Sequence, residues 1–188
     1  MIFTPKTPEV DLEDMLRRYK TPRRRKKMEK AYAVNLDAVA QHARPQAMVQ
    51  EFARADVAGL EAWLRPETAG VCLGLVTLGK ELDDEINRIS ADDVLASAIL
   101  NEVALAWIVE LAKQVRQKAA EEIGDRPLKV GPSYRPGVGR WPLAEVQDVL
   151  FAKLNTAEIG VSIDEHKIMW PNKSTSLIVP LRQISGQS

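Results

Sequence analysis

The chain has 188 residues, 26 Lys+Arg against 26 Asp+Glu for a formal net charge of +0, and 45% hydrophobic residues. That length suits one domain with a sizeable buried core, and the balanced charge excludes a global field that would draw the chain to nucleic acid or a membrane surface. Its single cysteine, Cys72, excludes an internal disulfide and a cysteine-rich metal site. No apolar run approaches the ~20 residues that span a bilayer. The opening MIFTPKTPEVDLEDM has acids where a signal peptide has its apolar core, so the expectation is a cytoplasmic protein.

Residues 1–30 read as an N-terminal arm. Pro5 and Pro8 break early structure, Leu12, Met15 and Leu16 give a short amphipathic turn, and Pro22 interrupts it. Arg23, Arg24, Arg25, Lys26 and Lys27 then form the one concentrated basic block, either a docking patch for an acidic partner or a solvated helix start. The spacing of Met28, Ala31, Tyr32, Val39 and Ala40 predicts a helix to about Ala43, which Pro45 stops. Alternating Ala47, Val49 and Phe52 predict a strand, and Leu60, Trp63 and Leu64 a helical turn. VCLGLVT, Val71 to Thr77, reads as a central buried strand.

After Gly79, ELDDEI places carboxylates in the first turn of a new helix, where the dipole favours them. The longest helix is predicted from about Ala91 to Glu122, capped by Ser90 or Asp92 and ended by Gly124. A Gly/Pro-rich bend follows, and Pro142 opens a helix to about Lys153. Short apolar segments at Ile159–Ile163, His166–Trp170 and Leu177–Leu181 close the chain, the last two flanking a PNKSTS turn. This mixed order predicts an α+β single domain over residues 31–188. It would be a twisted, mostly antiparallel sheet with a long central helix and flanking helices.

Two segments carry chemistry. In SYRPGVGRWPL, Ser133 to Leu143, Gly137 and Gly139 bracket one residue and let the backbone approach a flat ligand. Pro136 and Pro142 stiffen the loop, while Trp141 either stacks at the site or anchors the core. The second segment is IGVSIDEHKIMWPNKSTS, Ile159 to Ser176. Together, in this order, the two resemble the activation domain of vitamin B12-dependent methionine synthase, and more closely its small stand-alone relatives. ARPQA (Ala43 to Ala47), VTLGKELDDEI (Val76 to Ile86) and AILNEVALAWIVE (Ala98 to Glu110) add softer likeness, so the resemblance covers roughly residues 40–182.

The resemblance implies reductive methylation of cob(II)alamin with S-adenosylmethionine. The cobalamin would be carried by a separate corrinoid or methionine synthase protein, with flavodoxin or ferredoxin as electron donor. Cobalt would be the nucleophile, so no catalytic acid or base is expected. The implied ligand-contacting residues are Ser133, Tyr134, Arg135, Pro136, Gly137, Val138, Gly139 and Trp141. Glu110 would meet the ligand's ammonium, with Glu102 as the alternative, and Lys173, Ser174 and Ser176 would form a rim or cap backbone groups.

The departures bear on activity. Ser133 stands where the family has the arginine for the ligand's carboxylate, and Val138 where it has a tyrosine near the sulfonium. Losing a guanidinium–carboxylate contact costs about 1.5–3 kcal/mol. Arg135, Arg140 and Tyr134 are the residues placed to compensate. If none does, the expectation becomes a non-catalytic partner of a corrinoid methyltransferase. His166 and His42 read as ordinary histidines, Cys72 as an inert core thiol, and Asp83–Asp84 and Asp92–Asp93 as helix-start and surface acids. Esterase-elbow, Walker-loop and zincin motifs are absent.

Overall fold

A computed structural model describes residues 1–184; the last four residues of the expected domain lie outside them. The strands are β1 (Ile2–Phe3), β2 (Gln46–Ala53), β3 (Thr68–Thr77), β4 (Leu128–Val130) and β7 (Ser174–Gln183), in one antiparallel sheet of order β1-β2-β3-β7-β4. A separate ribbon pairs β5 (Ser162–Ile163) with β6 (Met169–Trp170). The helices are α1 (Leu12–Leu16), α2 (Pro22–His42), α3 (Lys80–Asp92), α4 (Val94–Ile123) and α5 (Leu143–Lys153).

Alternation along the strands builds two cores, one on each face of the sheet. Val49, Cys72, Val76, Leu177 and Val179 face α2 and α4. Met48, Leu73, Leu75 and Ile178 face α5 and Trp141. A strand buried on both faces reads as a continuous apolar run, which is why VCLGLVT was legible. The long helix lays Leu100, Val103, Trp107, Leu111 and Val115 on the sheet at helical spacing. By length and composition it could cross a bilayer, but here that stripe is the core of the domain. Helix and sheet approach closely at Gly74, where a Cβ would lie 2.5 Å from Val115 Cγ1. Cys72 is the expected core thiol, pushed up to about 12 by burial.

Some expectations change. The expected arm, residues 1–30, lies against the rest of the domain. The Met1 ammonium donates to the Val49 carbonyl at 2.7 Å, β1 pairs with β2, and Leu16 is buried against α2 and α4. Pro22 does not interrupt a helix; it occupies the first position of α2, where no N–H is needed. The basic block is therefore the opening turn of α2. The long helix is capped by Asp93, whose carboxylate accepts from Ala96 N at 2.9 Å, and not by Ser90 or Asp92. Gly124 ends it at φ 56°, as expected. Asp83 is not a surface acid: it is 2% exposed and sits 3.6 Å from Lys173 Nζ.

Gly74→Ala should destabilise the fold by about 1–3 kcal/mol, the usual cost of overpacking. Urea unfolding measures it, and adding Val115→Ala should return part of the loss. An unchanged midpoint for Gly74→Ala would mean that helix and sheet are not so closely set.

Candidate functional site

The edge of the sheet beside β7 is shaped by a proline. Gly131 continues β4 and donates its N–H to the Pro180 carbonyl at 2.8 Å. In an antiparallel pair of this kind the two residues exchange both bonds, but Pro180 has no N–H to return. The Gly131 carbonyl accepts instead from Arg116 Nε, reaching over from α4, at 2.9 Å. Two-way pairing resumes between Tyr134 and Ile178, at 2.8 and 2.9 Å. Between these pairs the edge chain carries one residue more than β7, a bulge at Pro132 and Ser133 that leaves Ser133 exposed.

A groove of about 530 Å³ opens at this bulge, lined by Arg116, Lys129, Arg182, Ser133 and the Val130–Pro132 stretch. Its charge is one-sided. Lys129 lies directly across the ladder from Arg182, a like-charge pairing that costs stability unless a counter-charge arrives. Among the described residues, Arg182 Nε is buried without an acceptor, and Nη1 has only Glu67 Oε1 at 3.9 Å. An unsatisfied buried donor of this kind costs about 1–3 kcal/mol. No carboxylate lines the groove.

The following loop turns away from the groove and under the sheet. Gly137 and Gly139 adopt φ 80° and 62°, and Gly137 N donates to the Trp141 carbonyl at 2.8 Å. Trp141 is 2% exposed. It stacks on Tyr134 at 5.0 Å and 27°, with Trp63 at 6.5 Å. It belongs to the core on that face of the sheet. Tyr134 is committed to the same stack, and Arg140 donates to the Trp63 carbonyl at 2.5 Å. Val138 projects into solvent at 61% exposure. Arg135 is half-buried and does not line the groove.

The remaining expected site residues lie elsewhere. Glu110 sits on α4, paired with Lys113 Nζ at 2.6 Å, and lines a separate cleft under residues 3–9. Gln114 closes that cleft by bonding both the N–H and the carbonyl of Lys6, at 2.9 and 2.8 Å. Glu102, the alternative, accepts from the Tyr32 hydroxyl at 2.9 Å and pairs with Arg18. Burial pushes the Tyr32 phenol above its ordinary range.

Lys173, Ser174 and Ser176 serve the fold. Asp83 joins Lys173 to the Asn172 amide, which donates to it at 2.5 Å. Ser174 Oγ donates to the Pro171 carbonyl at 2.7 Å, and buried Ser176 donates to Gln147 Oε1 at 3.1 Å. His166 is exposed and lies 3.6 Å from Glu165. No His/Cys/Asp/Glu group suited to a metal occurs among the described residues. Of the expected ligand-contacting side chains, the groove gathers only Ser133; Arg116, Lys129 and Arg182 were not foreseen.

The walls of the groove thus offer three cations, Arg116, Lys129 and Arg182, and no acid.

No family model matches the chain. No curated protein matches it either. Among solved structures, the chain is similar to the MetH reactivation domain bound to AdoHcy, with a TM-score of 0.75 and 14% identity over 100% of this chain and 79% of that one.

Arg116→Met should loosen the edge by about 1.5–3 kcal/mol, the loss of a charge-assisted hydrogen bond. The amides of Gly131 and Tyr134 should then exchange faster with solvent deuterium while those of β3 keep their protection. Unchanged exchange at both would mean that Arg116 does not replace the missing proline donor. The chain has the fold of the MetH reactivation domain, an α+β domain with a curled antiparallel sheet and one long helix.

Proposed function

We propose that this chain is an activation-domain-like partner of a separate corrinoid-dependent methyltransferase, with the fold retained and S-adenosylmethionine binding lost. The observation that carries this reading is the charge of the edge groove, where Arg116, Lys129 and Arg182 converge without a carboxylate. The residues that would restore the family's ligand contacts are otherwise engaged or turned away. Arg140 is bonded to Trp63, Tyr134 is stacked on Trp141, and Glu110 belongs to another cleft.

The opening turn of α2 supplies the docking surface. Cations at a helix N-terminus oppose the dipole, each by roughly 0.3–1 kcal/mol, and α2 has no acid in its first turn. Arg25 pairs with Glu13. Arg23, Arg24, Lys26 and Lys27 are exposed and make no ion pair among the described residues. An acidic surface on the corrinoid protein would neutralise them and orient the two molecules.

A second reading is methyl transfer from S-adenosylmethionine to that partner's cobalamin, with flavodoxin or ferredoxin supplying the electron. It is favoured by the AdoHcy bound to the similar domain. Calorimetric titration separates the two. The first reading expects no saturable S-adenosylmethionine binding up to millimolar ligand, with or without a purified corrinoid methyltransferase. It also expects association with that methyltransferase, abolished when Arg23, Arg24, Lys26 and Lys27 are changed to Glu. Micromolar S-adenosylmethionine binding would establish the second reading. Absence of any association with corrinoid proteins would overturn both.

A further inference from the structure

We infer that the edge groove binds a phosphate-bearing small molecule, through Arg116, Lys129 and Arg182. This stands on the groove alone and not on the corrinoid partner. Its volume of about 530 Å³ falls within the ~300–1,000 Å³ of small-molecule sites. The three cations come from three elements, α4, β4 and β7, so they converge through the fold and not through sequence proximity.

The number and placement of the cations select the ligand class. One arginine neutralises a carboxylate through a bidentate fork, whereas a phosphate presents more charge and three terminal oxygens. Arg116 is fixed by Nε on Gly131 and, more loosely, by Nη2 on the Val130 carbonyl at 3.5 Å, so its guanidinium is a rigid wall. Lys129 is exposed on the edge strand and pairs with no acid among the described residues. Arg182 meets one acid, Glu67, at 3.9 Å, and Glu67 is itself shared with Arg65 at 4.0 Å. Val130 and Pro132 offer an apolar surface for the organic part of the ligand, and the Ser133 hydroxyl stands on the bulge. Lys129 and Arg182 face one another across a ladder, and a bound dianion would turn that repulsion into a clamp.

Calorimetric titration of the full chain with pyrophosphate and inorganic phosphate tests the assignment, with acetate and citrate as carboxylate controls. The expected result is saturable pyrophosphate binding that weakens with added salt. Arg182→Gln and Lys129→Ala should each weaken it about tenfold, the loss of one charge-assisted contact, and Arg17→Ala, which removes an exposed charge outside the groove, should leave it unchanged. Because Lys129 lies on an exposed edge, Lys129→Ala keeps the test valid if Arg182→Gln unfolds. Absent pyrophosphate binding, an equal effect of Arg17→Ala, or citrate binding as tightly as pyrophosphate would each overturn the proposal.

Discussion

Pro180 sits on β7 with its carbonyl turned to the sheet edge and no amide hydrogen to offer there. Everything notable about that edge follows from the missing donor. The Gly131 carbonyl is left without its strand partner and takes Arg116 Nε from the helix layer. The ladder then skips a residue before Tyr134 pairs with Ile178, and the skipped stretch opens the groove. Arg116 can reach because α4 lies close on the sheet, seated where Gly74 has no side chain to hold Val115 away. A proline on one strand, a glycine on its neighbour and an arginine on the overlying helix thus act together.

The same edge explains why a familiar fold need not carry a familiar activity. The stretch from Ser133 to Leu143 has the glycines and prolines of a ligand loop, yet its aromatic residues Tyr134 and Trp141 are packed inward, stacked with each other and beside Trp63. What faces the groove is instead decided by strand register and by one helix residue. Those positions are basic, and no acid lines the groove. Fold is set by the two apolar cores on either side of the sheet, and ligand choice by a handful of polar side chains at its rim.

Much of the architecture was legible in the sequence. The buried strand, the long helix with its Gly124 end and the antiparallel α+β arrangement follow from apolar period and from glycine and proline placement. β1 and β4 were not legible, because short edge strands acquire their identity from pairing with distant β2 and β7. Asp83 reads as a surface acid in its helix turn, and only the approach of Lys173 and the Asn172 amide makes its burial tolerable. The groove was invisible for the same reason. Arg116, Lys129 and Arg182 are far apart in sequence, and nothing in their local context marks them as neighbours. Pro180 was the one available signal, since a proline within an apolar strand announces an interruption on one of its sides.

The central claim is that the edge groove beside Pro180 selects anions and not sulfonium ligands. Two-dimensional amide NMR with pyrophosphate and S-adenosylmethionine titrated in parallel tests it most directly. The expected result is that pyrophosphate shifts the amides of residues 129–135 and of Arg182, while S-adenosylmethionine shifts neither these nor the 136–141 loop. Saturable shifts centred on Ser133 and Val138 with S-adenosylmethionine, and none with pyrophosphate, would contradict it.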